Sequence, residues 1–177
     1  SSLGEVLNCE YLFYDDDGYN CKMTTAYDEP TEITSISGDH RSGKDTTDVN
    51  TLYIPSSSNT NYIPTKFCDY FVNLTKIDLY SKNIAELNKD IFEGCTKLET
   101  IYLRYLNTST IDEDFFSNLT NLKEISITNT NIETLPKNLF KNNVISFFIM
   151  KFQMIRLLIS RIFYHFKSYV FHVPLSV

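Results

Sequence analysis

From Leu74 onward the chain returns to one apolar pattern at a fixed interval. Three units of 24 residues, starting at Leu74, Leu98 and Leu122, superpose column on column. Ile77, Ile101 and Ile125 align; so do Leu79, Leu103 and Ile127, then Leu87, Ile111 and Leu135, then Phe92, Phe116 and Phe140. A looser unit precedes them from Val49, one residue longer, the extra residue falling in the Ser/Asn-rich turn before Ile63. The LxxLxL opening of each unit alternates apolar and polar positions as a strand with one buried face does, and the second half brings a Leu and a Phe back to the interior.

A unit of this kind buries its apolar columns only against its neighbours. The pattern therefore predicts stacked units forming a solenoid, strands paired in parallel, and two open ends that need covers. Ahead of the units, Leu7 to Phe13 alternate apolar with polar residues, "DDDG" makes a turn and "YNCKM" returns, which predicts a hairpin. "ITSIS" from Ile33 reads as a further strand, followed by a loop from Gly38 to Asp48. The expected organisation is an N-terminal cysteine-containing cap over 1–48, repeats over 49–143 (49–73, 74–97, 98–121 and 122–143), and a tail over 144–177.

The tail breaks the pattern. A fifth 24-residue unit would put Ser146 and Lys151 in leucine columns. Of its 34 residues 22 are apolar or aromatic, yet Lys151, Arg156, Arg161 and Lys167 interrupt any run long enough to span a bilayer. Phe152, Ile155, Ile159, Ile162 and Phe166 fall at helical spacing. Three readings stay open: a helix covering the C-terminal end, a basic amphipathic helix lying on a surface or membrane, and a non-native extension from an altered reading frame or retained intron.

The recurring columns resemble the leucine-rich repeat family in its 24-residue extracellular class and, more loosely, the secreted leucine-rich-repeat proteins of insects. The resemblance implies an α/β solenoid: a short horseshoe with a parallel β-sheet on its concave face and an N-terminal β-hairpin cap, which Cys9 and Cys21 would close as a disulfide. One departure stands out. The family places Asn at the ninth position, where this chain has Lys82, Leu106 and Thr130, with Asn83, Asn107 and Asn131 one place later. Leu106 cannot hydrogen-bond the turn, so a less regular edge is expected.

Composition narrows the chemistry. Hydrophobic residues make up 42% and charged residues 21%, ordinary for a globular chain. All 22 acidic residues precede Val144, so residues 1–143 carry 12 basic minus 22 acidic charges, or −10, against +4 for the tail. That balance disfavours nucleic acid as a partner. The four cysteines match no zinc spacing, only three histidines occur, and Asp15, Asp16 and Asp17 lack the alternate spacing of a calcium loop. No metal or cofactor is expected. Cys68 and Cys95 sit at interior positions of neighbouring units and read as two buried thiols, with a second disulfide within reach. Sequons at Asn73, Asn107 and Asn118, together with paired cysteines, point to a secreted glycoprotein. No signal-peptide pattern opens the chain at Ser1, which reads as a mature form or a fragment.

The stretch from Gly38 to Asp45 nearly spells a phosphate loop, GxxxxGK[ST], through Gly38, Gly43 and Lys44. Asp45 stands where the motif needs a hydroxyl, and the segment runs into a β-branched strand where a phosphate loop opens a helix. It reads as a surface loop at the seam between cap and repeats. His40, in that loop, has no nucleophile to serve, so no catalytic residue and no enzyme activity are expected.

In the resembled architecture, residues flanking the two inward positions of each strand point to the concave face. Here these include Tyr53, Lys76, Asp78, Tyr80, Tyr102, Arg104 and Glu124. Tyr and Arg are the types that dominate binding hot spots. The resemblance thus implies a secreted module recognising a protein partner through this face, in immune or cell-surface recognition. The other readings are a structural, self-associating extracellular protein and a truncated product without independent function. Neither the partner nor the oligomeric state is legible.

Overall fold

The computed structural model describes residues 5–14, 18–143, 145, 147–152 and 169–171. They build one sheet from β1 (Glu5–Tyr14), β2 (Gly18–Met23), β3 (Ile33–Ser37), β4 (Thr51–Ile54), β5 (Lys76–Tyr80), β6 (Thr100–Arg104), β7 (Glu124–Thr130), β8 (Phe147–Phe152) and β9 (Tyr169–Phe171). Their spatial order is β3-β1-β2-β4-β5-β6-β7-β8-β9. Strands β4 to β8 pair in parallel, each one unit on from the last, with Leu52, Ile77, Ile101 and Ile125 in register and Ile54, Leu79, Leu103 and Ile127 behind them. These inward columns are almost wholly excluded from solvent. At the N-terminal end β1 and β2 form the expected antiparallel hairpin, β3 lies parallel to β1, and β2 continues the sheet in parallel with β4. Strand β9 returns antiparallel to β8. The sheet is therefore mixed, parallel through the repeats and antiparallel at both ends.

The α component expected of the return legs is not found among the described residues. The returns are made by short 3-10 turns, at Phe67–Asp69 and Lys89–Phe92 in the first two units. Parallel strands sit ~4.8 Å apart, whereas packed α-helices need ~8 to 10 Å between axes, so thinner legs stack on closely spaced units without forcing them apart. Inside the returns the phenylalanine column stacks: Phe92 to Phe116 is 6.3 Å between centroids at 18°, and Phe116 to Phe140 is 5.7 Å at 17°. On their outer side an amide ladder ties unit to unit. Asn73 donates its side-chain N–H to the Thr47 carbonyl of the cap, and Asn121 and Asn142 donate theirs to the Thr96 and Ser117 carbonyls of the preceding unit. Where the ladder would need Asn, Lys97 instead donates to Asn73 Oδ1 at 2.6 Å.

The turn after the strands is irregular, as the displaced asparagines led one to expect. Tyr105 and Asn129 adopt left-handed backbone (φ 57 and 53), and the residues that follow them, Leu106 and Thr130, are buried. In the unit from Leu74 the equivalent of Tyr105 is Ser81, which is itself buried. Asn131 Nδ2 donates to Asn107 Oδ1 at 2.8 Å, so the late asparagines hydrogen-bond each other outside the core.

One expectation about the tail is overturned. A fifth strand does follow, because the unit from Leu122 is one residue short. Ile145 is buried, Phe148 pairs beside Ile125 and Met150 beside Ile127, which restores the LxxLxL phase at 23 residues. Ser146 and Lys151 therefore do not need to occupy leucine columns. Phe152 ends β8; Ile155, Ile159, Ile162 and Phe166, which carried the helical reading, lie outside the described residues.

Cys9 and Cys21 form a disulfide across the hairpin, and Cys68 and Cys95 form a second between neighbouring units. The reading of Cys68 and Cys95 as thiols is thereby corrected. Both lie on return legs that the stacking brings to 5.1 Å between Cα atoms, which sequence separation alone does not reveal.

Candidate binding face

The side of the sheet turned away from the core collects the residues named from the pattern. Because the strands are in register, Tyr53, Asp78, Tyr102 and Ser126 form one row across β4 to β7, and Thr51, Lys76, Thr100 and Glu124 the row before it. These rows are cross-linked along diagonals. Arg104 grips Asp78 with both Nε (2.9 Å) and Nη2, two charge-assisted bonds in the fork geometry that a carboxylate accepts. The Asp78 side chain is only 14% exposed and that of Arg104 37%. Above this pair the guanidinium lies over the rings of Tyr80 (5.4 Å) and Tyr102 (6.0 Å). Tyr102 donates its hydroxyl to Glu124 Oε1 at 2.6 Å, and Lys76 Nζ stands 4.9 Å from the Tyr102 ring centre. Six of the seven residues expected on the face are thus one connected network.

Tyr53 joins it electrostatically. Its hydroxyl is pushed above the ordinary tyrosine pKa by burial first and by the Asp78 carboxylate second, with Arg104 opposing. Tyr14 and Tyr80 add to the shift. Two side chains that the repeat pattern did not point to belong there. Lys22 pairs in register beside Tyr53 and bonds Glu10 at 2.7 Å; Tyr14 lies opposite Gly18 and is 46% exposed. Tyr105 also packs against Tyr80, with ring centres 4.9 Å apart. A signal for the network existed: its hydrogen-bonded partners are 26 and 22 residues apart, one repeat plus or minus one strand pleat.

The remaining candidates fall elsewhere. Asn73, Asn107 and Asn118 are all exposed. His40 is drawn into the cap, stacked on Tyr11 with centroids 3.9 Å apart and its Nδ1 3.0 Å from the Tyr19 hydroxyl. In the near-phosphate loop Lys44 pairs with Asp48 at 3.1 Å, and Asp45 caps the short turn Thr46–Asp48 in a capping box. Gly38 is needed for packing, since a Cβ there would lie 2.2 Å from the Cys9 carbonyl oxygen. The motif's residues are spent on closing the seam. Among the described residues no His/Cys/Asp/Glu group is placed to hold a metal ion, and no helix is long and apolar enough to cross a membrane.

No curated protein matches the chain significantly. Residues 72–132, the span that carries β5, β6 and β7, match the family model for the leucine rich repeat, a module generally non-enzymatic and commonly used in protein–protein interaction. The match and the in-register strands with their buried columns together support a leucine-rich-repeat protein.

Proposed function

We propose that this chain is an extracellular binding module that recognises a protein partner through the outward sheet face, which a horseshoe curvature would make concave. The observation that carries the proposal is the preassembled network of Tyr53, Lys76, Asp78, Tyr80, Tyr102, Arg104 and Glu124. Aromatic rings and a guanidinium already fixed by neighbours lose little side-chain entropy on docking, so their contacts convert more fully into affinity. Two disulfides and three exposed sequons support secretion, and with it a role in immune or cell-surface recognition. The test is capture of partners from extracellular fluid on the immobilised chain, compared with Tyr80→Ala/Tyr102→Ala. The double variant should lose the captured protein while melting cooperatively; undiminished capture would reject this face.

A further inference from the structure

Along the outward face, at the N-terminal ends of the strands, runs an open cleft of about 530 Å³ that crosses from the hairpin to β7. Its lining includes Gly18, Asn50, Lys76, Glu99, Tyr102 and Glu124. The two ends differ in chemistry. At the far end Glu124 opens β7 directly beside Thr100, and Glu99 immediately precedes β6. Their carboxylates are oriented by neighbours: Glu124 accepts the Tyr102 hydroxyl, and Glu99 pairs at 3.0 Å with Lys123, an exposed contact. At the near end Gly18 keeps the floor low. It adopts left-handed backbone (φ +74), and a Cβ on it would lie 2.2 Å from Asn50 Nδ2, which fills that space. Gly18 pairs with Tyr14, an exposed residue of β1 one strand beyond the cleft lining. Between the ends, beside Thr51, Asn20 is 2% exposed and its Oδ1 has no hydrogen-bond donor, an unmet acceptor where the hairpin joins the cleft.

Resting on the protein-binding reading of this face, we propose that the cleft takes one extended peptide segment of the partner, lying across the strands. A basic residue of that segment sits at Glu99 and Glu124, and an apolar residue sits on Tyr14. The spacing follows from the sheet. From β6 to β1 there are four strand steps of ~4.8 Å, about 19 Å, and an extended chain rising ~3.3 Å per residue covers that in about six residues. The charge of −10 over residues 1–143 steers basic segments in and acidic ones away. Lys76 stands over the Tyr102 ring, so a sugar ring finds no open aromatic face there, and the two carboxylates of the lining outnumber its one ammonium.

The test pans a random peptide display library on the immobilised full chain, then measures the enriched peptide, synthesised with a fluorophore, by anisotropy. Enriched peptides should carry Lys or Arg about six positions from Leu, Phe or Tyr, as the strand spacing requires. Glu99→Gln/Glu124→Gln should weaken the peptide by about tenfold and flatten its salt dependence. Tyr14→Ser should also weaken it several-fold. Val72→Ser, an exposed position between the return turn and β5 and outside the cleft lining, should leave it within roughly twofold. Enrichment of acidic peptides, absence of any enrichment, or binding indifferent to the two glutamates overturns the cleft proposal. A peptide lost on Tyr80→Ala but indifferent to Glu99 and Glu124 overturns it too, while leaving the broader reading of the face intact.

Discussion

The Asp78–Arg104 pair decides whether the outward face is a fixed surface or a set of independent side chains. Exposed ion pairs contribute about 0 to 1 kcal/mol. Breaking a fully buried pair by removing one partner costs about 3 to 5 kcal/mol, because a charge is left without compensation. This pair lies between those limits: its carboxylate end is 14% exposed, its guanidinium end 37%, and both bonds are charge-assisted. Arg104→Ala should therefore destabilise by about 2 kcal/mol, part of it from lost contact with the Tyr80 and Tyr102 rings. That ring term is also lost when Arg104 is removed in an Asp78→Ala background, so it cancels in a double-mutant cycle. Urea unfolding of the wild type, both single variants and the double variant should give a coupling energy of about 1 to 2 kcal/mol. Because the pair is half-buried, roughly half of it should survive in 1 M salt, where surface pairs are screened beyond ~3 Å. A coupling below about 0.5 kcal/mol would refute the argument. Arg104 would then be a mobile surface side chain, and a partner would have to order it on binding.

Two further outcomes follow from the cap and the return legs. Replacing Cys68 and Cys95 together by Ala reopens a loop with a sequence separation of 27, which loop-closure entropy puts at about 3.5 kcal/mol; at ~2 to 4 °C per kcal/mol the melting midpoint in a fluorimetric scan should fall by roughly 7 to 14 °C. A shift under about 3 °C would mean the stacked units hold the returns without the bridge. Tyr11 and Tyr27 are buried and their hydroxyls pushed up to about 12. Above pH 10 the unfolded chain ionises them while the folded one keeps them neutral, so stability should be lost as pH rises from 10 to about 12. Absorbance near 295 nm, rising in two stages with Tyr11 and Tyr27 in the late one, would register it; one stage at the ordinary tyrosine pKa rules it out.

What was legible in the chain is what the core constrains. Ile77, Leu79 and their equivalents must recur at one period because each must pack on the unit before it, and an error of one residue turns the whole strand over. The same strictness hid β8. With one residue missing from the unit that starts at Leu122, a fixed 24-residue ruler lands on Ser146 and Lys151, while the strand keeps phase through Ile145, Phe148 and Met150. The outward face is under no such constraint, and its identity comes from contacts between units. Asp78 reaches Arg104 across 26 residues and Tyr102 reaches Glu124 across 22, so the informative search is for complementary side chains one repeat plus or minus one pleat apart, not for residue types within a unit. Even that search stops at Val49. Lys22 and Tyr14 join the face because β2 runs parallel to β4 while β1 runs antiparallel to β2, a relation that no period encodes. A repeat pattern therefore reveals where the core lies, and the cap residues that extend its surface emerge only from how the hairpin is docked.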